Sequence, residues 1–381
     1  MVHVAVVGTG FMGPTHTEAL RRLGIHVRGI LGSSPSKSQQ AAQSLGLEVA
    51  YDNYQAILDD AAVHAVHIGT PNKTHFDMAK RALLAGKHVV CEKPLAMTAS
   101  ETQELVAVAQ AHPHLISAVN YNIRFYPVLL EARDIVQRGD LGDVYSVRGG
   151  YIQDWLFHDT DWNWRLVPEE GGEVRAIGDI GTHWMDLIYF ITGLEVEALL
   201  ADLATFIPVR KKPRQAVATF KSKERQGPVD YDEVEIRTED WGAVLFHYRG
   251  GARGTMNVSQ VTAGRKNQLS FEIAGSKGAL SWNGEYPNEL WLGHRDRPNE
   301  ILLKDPSLMQ TLANTYTDYP GGHAEGYPDS FKQLYRAVYD YLAAGNFDKP
   351  KPFPTFADGH RQLVLSAAIL NSHRNRRWTD V

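Results

Sequence analysis

The sequence predicts an α/β protein in two parts: an N-terminal doubly wound parallel sheet, then an α+β domain built on a large, mostly antiparallel open sheet. Three observations carry this reading. Short, continuously apolar strands alternate with helical patterns through the first 120 residues, as in a parallel sheet covered on both faces. Near Tyr126–Pro127 the rhythm changes, and long strands of alternating polarity follow, as in "DEVEIRTEDWGAVLFHYRGGARGTMNVSQV". The 381 residues are also long for one core and comfortable for two.

In chain order, the first part is expected to place strands at Val2–Val7, His26–Leu31, Ala65–Ile68, His88–Cys91 and Leu115–Val119. Helices are expected between them at Pro14–Leu23, Pro35–Leu45, Tyr54–Asp59, Thr74–Ala85 and Ser100–Ala111. The second part should hold a helix from Val128 to Arg138, a long strand Val144–Asp154 and an irregular aromatic segment. A helix from Asp179 to Ile191, the alternating strands and a final helix from Ala357 to Arg374 complete it. The boundary is set at residues 122 and 123, giving domains 1–122 and 123–381.

Composition excludes several classes. A formal charge of −5 provides no field to recruit nucleic acid or an anionic membrane. The single cysteine, Cys91, cannot form an internal disulfide, which suits a reducing compartment. The N-terminus runs straight into a strand, and no apolar run approaches the roughly 20 residues of a membrane helix. A soluble cytoplasmic protein is expected. No His/Cys/Asp/Glu constellation has metal-ligand spacing, so no metal is expected. The basic stretch Pro208–Pro228 reads first as a solvated surface loop between strands, with a lid or subunit-contact loop as the alternative.

"VVGTGFMG" sets Gly8, Gly10 and Gly13 in G-x-G-x-x-G spacing, directly after the first strand and opening a helix. In that context the glycines allow a tight turn, close approach of a pyrophosphate and close helix–strand packing, so a dinucleotide is expected against Gly8–Gly13, including Phe11 and Met12. At the end of the second strand, Gly32, Ser33 and Ser34 stand where an acid would meet the ribose 2′-hydroxyl of NAD. Ser33 and Ser34 can donate to a 2′-phosphate and Lys37 can neutralise it, while Ser34 also reads as a helix N-cap before Pro35. The cofactor expected is NADP or NAD, with NADP slightly favoured.

Lys93 follows "HVVC" at the C-terminal end of a parallel strand, the edge where ligands bind in such sheets, and Pro94 constrains its backbone. "GDIGTHWMDLIYF" sets Asp179 and His183 four residues apart on one helix face, where a carboxylate can fix an imidazole's tautomer.

With "GTGFMG", "GTPNKTH", "CEKP", "NYNIRFYP" and "GDIGTH" in this order, the sequence resembles the glucose–fructose oxidoreductase, inositol dehydrogenase and rhizopine-catabolism (Gfo/Idh/MocA) family over nearly its whole length. The resemblance implies an N-terminal Rossmann domain, a C-terminal α/β domain whose open sheet mediates dimers or tetramers, and NAD(P)-dependent chemistry on sugars, inositols and related polyols. By motif, it implies that Lys93 contacts the reacting hydroxyl and the nicotinamide, and that Asp179 and His183 are the family's Asp-x-x-x-His pair, with His183 as acid–base partner of Lys93. It likewise places Thr70, Pro71, Asn72 and His75 beside the nicotinamide half, Glu92 at the ribose, and Asn122 with Arg124 in the N-x-R motif, Asn122 being counted with the cofactor.

"YIQDWLFHDTDWNWRL" resembles the family's substrate-facing segment: aromatic rings can stack on the C–H faces of a pyranose while polar side chains meet its hydroxyls. Tyr151, Gln153, Trp155, Trp164 and Arg165 are expected at the substrate, Arg165 at the cofactor as well, and His323 and Tyr327 of "GGHAEGYPDSF", a glycine-rich turn leading into a helix, beside them. The expected reaction is oxidation of a sugar or polyol hydroxyl in which His183 takes the proton, Lys93 stabilises the alkoxide and Asp179 orients His183, or with Lys93 as the primary base. Two other classes are an NAD-dependent glycosidase working by transient C3 oxidation and elimination, and a regulator that binds dinucleotide without turnover. A homodimer or homotetramer is expected.

Overall fold

The computed structural model describes residues 2–214 and 230–381. Its first sheet has six parallel strands: β1 (His3–Val7), β2 (His26–Leu31), β3 (Val49–Tyr51), β4 (Ala65–Ile68), β5 (His88–Cys91) and β6 (Ser117–Val119), in the order β3-β2-β1-β4-β5-β6. Five helices connect them: α1 (Met12–Arg22), α2 (Pro35–Leu45), α3 (Tyr54–Asp59), α4 (His75–Leu84) and α5 (Ala99–Ala111). The expected alternation is borne out, with β3 added; three residues are too few to register as a periodic pattern. Side chains alternate across the sheet as the pleat demands. Val4 and Val6 join the core under α1, whereas Ala5 and Val7 join the core under α3, α4 and α5.

The second part begins with α6 (Pro127–Gln137), β7 (Val144–Ile152), α7 (Pro168–Gly171) and α8 (Thr182–Thr192). Then come β8 (Val196–Ala204), β9 (Val209–Pro213), β10 (Tyr231–Glu235), β11 (Trp241–Tyr248), β12 (Arg253–Ser259), β13 (Gln268–Gly275), β14 (Ala279–Asn283), β15 (Glu289–Gly293) and β16 (Glu300–Leu303). The chain closes with α9 (Thr311–Thr315), α10 (Tyr327–Ala344), α11 (Phe356–Asn375) and β17 (Thr379–Asp380). Nine strands form one sheet, β16-β15-β14-β13-β7-β12-β11-β8-β17, antiparallel except for the β7–β12 pair. The fold class expected from sequence is therefore observed. β9 and β10 make a separate hairpin; most of the basic stretch Pro208–Pro228 lies outside the described residues. Among the described residues, no helix is long and apolar enough to cross a membrane.

Two helices late in the sequence return to the first sheet. α10 buries Phe331, Leu334, Tyr335 and Val338 in the core beneath Val4, Val6 and Val90, and α11 packs on α5. Capping is local and legible: Ser34 accepts from the Lys37 N–H at 3.3 Å, and Thr98 with Glu101 forms a capping box on α5.

Histidines line the N-terminal edge of the first sheet. His26 opens β2, His3 opens β1, His64 precedes β4 and His88 opens β5. The His3 N–H donates to His64 Nδ1 at 3.1 Å, and the His3 and His26 rings lie 4.7 Å apart. Burial, with His64 and His114 nearby, pushes His88 down to about 4. A folded-state value below the unfolded value of about 6.5 means that the unfolded chain binds protons first as pH falls. The stability of neutral His88 is intact above pH ~6.5 and is lost on the way down to ~4. Unfolding at pH 5 should cost at most about 2 kcal/mol less than at pH 7.5 on this account, and His88→Asn should flatten the fall in denaturant midpoint over that range.

Candidate active site

The crevice opens where the strand order reverses, between the C-terminal ends of β1 and β4, and the glycine turn is built into it. Gly8 has φ +115°, and a Cβ there would lie 2.4 Å from the Gly69 carbonyl oxygen that follows β4. A Cβ on Gly13 would lie 2.0 Å from the Gly8 oxygen, so α1 packs on the turn only with glycine there. Gly10, by contrast, has nothing within 4 Å of its Cβ position. Two glycines close the turn on itself and the third leaves room at the start of α1, which fits a pyrophosphate on the helix N-terminus. Phe11 is exposed and stacks on Tyr327 at the start of α10, with ring centroids 6.3 Å apart; Met12 packs inward. At the end of β2, Lys37 Nζ donates to Ser33 Oγ at 3.0 Å, beside the Ser34 cap.

Lys93 crosses from the first sheet to the second part of the chain. Its Nζ donates to the Asp179 carbonyl oxygen at 2.6 Å and to Asp179 Oδ1 at 2.9 Å. The Lys93–Pro94 peptide is cis. Asp179 is a hub: Oδ1 also accepts from Arg165 Nε at 3.0 Å, and Oδ2 accepts from Gln260 Nε2 at 2.9 Å. Burial alone would raise this carboxyl, but Arg165 and Lys93 outweigh it and hold Asp179 well below the usual carboxylate range. His183 is 8% exposed, and its Nδ1 is buried with no hydrogen-bond partner. Burial, reinforced by the Lys93 charge, presses its pKa well below the ordinary value, so the ring is neutral at pH 7. The rings of Tyr121 and Tyr151 flank it at 5.7 and 6.2 Å.

One expectation is corrected here. Asp179 does not hydrogen-bond His183. The two belong not to one regular helix but to a π-helical turn, Ile177–Gly181, followed by α8. The wider turn rotates Asp179 off the α-helical face, and the side chains of Lys93, Arg165 and Gln260 occupy its oxygens. Gln260, just after β12, carried no motif that could have announced it.

The levoglucosan dehydrogenase of Pseudarthrobacter phenanthrenivorans is 30% identical to this chain over 402 aligned residues, spanning 100% of the chain and 98% of that protein. The family described as "Oxidoreductase family, NAD-binding Rossmann fold" matches residues 2–121, and the GFO/IDH/MocA C-terminal domain matches residues 129–281. The chain belongs to the Gfo/Idh/MocA family. It is an NAD-binding oxidoreductase, as the resemblance implied. Among solved structures, an oxidoreductase domain protein from Kribbella flavida is 30% identical with a TM-score of 0.89 over 100% of both chains. A levoglucosan dehydrogenase in complex with NADH and L-sorbose is 27% identical, with a TM-score of 0.88 over 100% of this chain and 98% of that one.

Several positions of the Gfo/Idh/MocA motifs turn inward instead of lining the crevice. Glu92, expected at the ribose, is buried: Oε1 meets His16 Nε2 at 3.0 Å and accepts from Asn120, and Oε2 accepts from the Lys93 N–H at 3.2 Å. Asn122, also expected at the cofactor, donates to Ser330 Oγ on α10 at 2.7 Å and is buried. His75 spans the Pro94 and Thr70 carbonyl oxygens at 2.8 and 2.9 Å, bracing the lysine segment against the Thr70–Pro71 turn. Asn72 donates to the Gly171 oxygen at 2.8 Å, tying that turn to α7. Each amide or imidazole is consumed by an internal partner because burial makes an unpaired polar group costly. Arg124 forms a two-pronged pair with Asp186 (2.7 and 2.5 Å) and reaches Asp358 at 3.0 Å, locking α8 to α11.

The aromatic segment divides. Tyr151 is buried, its hydroxyl donating to Asn267 Oδ1 at 2.6 Å; Gln153 Nε2 reaches the same oxygen at 2.7 Å and its Oε1 accepts from Trp155 Nε1 at 2.9 Å. Trp155 also packs on a small core of Leu156, Leu166 and Ile236. Trp164 lies under the Arg165 guanidinium, 4.3 Å from the ring centroid. Arg165 and Tyr151 thus reach the Lys93–His183 group, whereas His323 sits on an exposed turn, its Nδ1 3.3 Å from the Gly321 oxygen.

Proposed function

We propose that the chain is an NAD(P)-dependent dehydrogenase acting on a hydroxyl of a sugar, glycoside or polyol, with Lys93 and His183 as the acid–base pair. One observation carries the reading: an ammonium from the end of β5, on the sheet edge that also carries the glycine turn, and a neutral, unpartnered imidazole from α8 converge around Asp179. The nicotinamide, when bound, supplies the hydride acceptor. His183 takes the hydroxyl proton, for which a neutral ring is required. Lys93 donates a hydrogen bond to the oxygen as it gains charge, and Asp179 holds Lys93 and Arg165 in place. The family's solved levoglucosan dehydrogenase complexes with levoglucosan and with L-sorbose support a sugar as substrate class. A panel of anhydrosugars, monosaccharides, glycosides and inositols, followed by absorbance of the reduced nicotinamide, tests it. Turnover on none of them would sink the assignment, and release of an aglycone without net reduction would point to the elimination chemistry instead.

The chain accepts NADP as well as NAD in this reading. No acid stands at residues 32–34, and Lys37 is held over Ser33 where a 2′-phosphate would meet it. Ser33→Asp is expected to lower kcat/KM for NADP at least about 10-fold while sparing NAD, since a carboxylate repels the phosphate and accepts from the ribose hydroxyl. An unchanged NADP/NAD ratio would reject the site. Association into a homodimer or homotetramer is proposed through the uncovered face of the nine-stranded sheet, where Leu245 and Ile301 stand exposed on cross-strand positions.

A further inference from the structure

Beneath Lys93, side chains from four separate elements join in one buried hydrogen-bonded chain. The Tyr339 hydroxyl on α10 lies 2.7 Å from His67 Nε2 on β4. His67 Nδ1 lies 3.1 Å from His16 Nδ1 on α1, and His16 Nε2 lies 3.0 Å from Glu92 Oε1. Asn120, just beyond β6, donates to the same carboxylate oxygen, and the other oxygen accepts from the Lys93 N–H at 3.2 Å. Both histidines are 0% exposed. The Tyr335 ring packs against them at 5.3 and 4.8 Å.

Proton counting orders the chain. An ionised carboxylate only accepts, so His16 Nε2 carries hydrogen. Burial and the neighbouring His16 keep His67 neutral, with one hydrogen to place. With that hydrogen on Nδ1, Tyr339 donates to His67, His67 to His16 and His16 to Glu92, so every donor has an acceptor. With it on Nε2, His16 must be an imidazolium, and it still donates to Glu92. The donor on Glu92 is the same in both arrangements. Tyr339 is itself buried, so the chain is no exit for protons to solvent.

We propose that His16 and His67 are positioning residues for Lys93. The chain from Tyr339 fixes the Glu92 carboxylate, Glu92 fixes the peptide N–H of Lys93, and the ammonium then reaches the seam from a backbone that cannot turn. The inference rests on Lys93 acting in the reaction, and a double-mutant cycle separates the two claims. His67→Leu should lower single-turnover hydride transfer by about 10- to 30-fold, with sugar KM and NADH affinity (read by nucleotide fluorescence) within about threefold. In a Lys93→Ala background the same change should cost less than about twofold, because the group it positions is gone. Equal losses in both backgrounds would mean a merely structural role and overturn the proposal; full activity of His67→Leu would do the same. Near wild-type turnover of Lys93→Ala alone would instead remove the reading beneath it. Should His67→Leu fail to fold, Tyr339→Phe and His16→Gln take its place. Gln can still donate to Glu92 and should keep most activity where His16→Leu does not; equal activity of the two would count against the proposal. Nitrogen-15 spectra of histidine-labelled protein should show hydrogen on His16 Nε2, and a bare Nε2 would refute the chain.

Discussion

Lys93→Ala is expected to reduce single-turnover hydride transfer by about 10³-fold, with NADH affinity changed less than about threefold. The size follows from losing the cation that meets the developing alkoxide inside a largely buried site. The fold should survive, because Asp179 keeps Arg165 and Gln260. Stopped-flow absorbance separates the chemical step from release. Hydride transfer near the wild-type rate would remove Lys93 from the chemistry, and a parallel loss of NADH affinity would make it a cofactor anchor instead.

Asp179→Ala is expected to be damaging twice over. It leaves Lys93 and Arg165 facing each other in a buried site without their shared counter-charge, a loss on the order of 3–5 kcal/mol in unfolding free energy. It also frees both side chains to move, so turnover should fall with stability. Asp179→Asn keeps the shape and separates the two effects. The pH sign follows from the depressed carboxyl: Asp179 contributes stability that is present above the unfolded value of about 4 and is lost progressively below it. Chemical denaturation across pH 2 to 7 should therefore show a shallower acid limb in Asp179→Asn than in the wild type. An identical limb would mean that the carboxylate is not held ionised by its neighbours.

Much of this site was legible in the residues. The glycine spacing at Gly8–Gly13 announces a turn because sterics at those positions are local: a Cβ would strike Gly69 or Gly8 itself. Lys93 announces itself by following an apolar strand and preceding proline. Asp179 and His183 were paired by a spacing argument that assumes 3.6 residues per turn, and the π-helical turn broke that assumption. Glu92 and Asn122 were placed at the cofactor by motif, yet their partners, His16 and Ser330, lie 76 and 208 residues away, beyond any local signal. The 18-residue α10 was legible only as a helix after a glycine turn; that it roofs the first sheet was not.

Periodicity and turn chemistry, read along the chain, determined the two-part α/β architecture, the dinucleotide turn and the strand-end lysine, because each depends on contacts within a few residues or on which face of an element is buried. What stands opposite a buried polar group was decided by the tertiary structure alone. Arg165 and Gln260 on Asp179, and Tyr339, His67 and His16 behind Glu92, are brought together from separate elements, and a buried polar atom takes whichever partner the packing presents, since leaving it unpaired is costly.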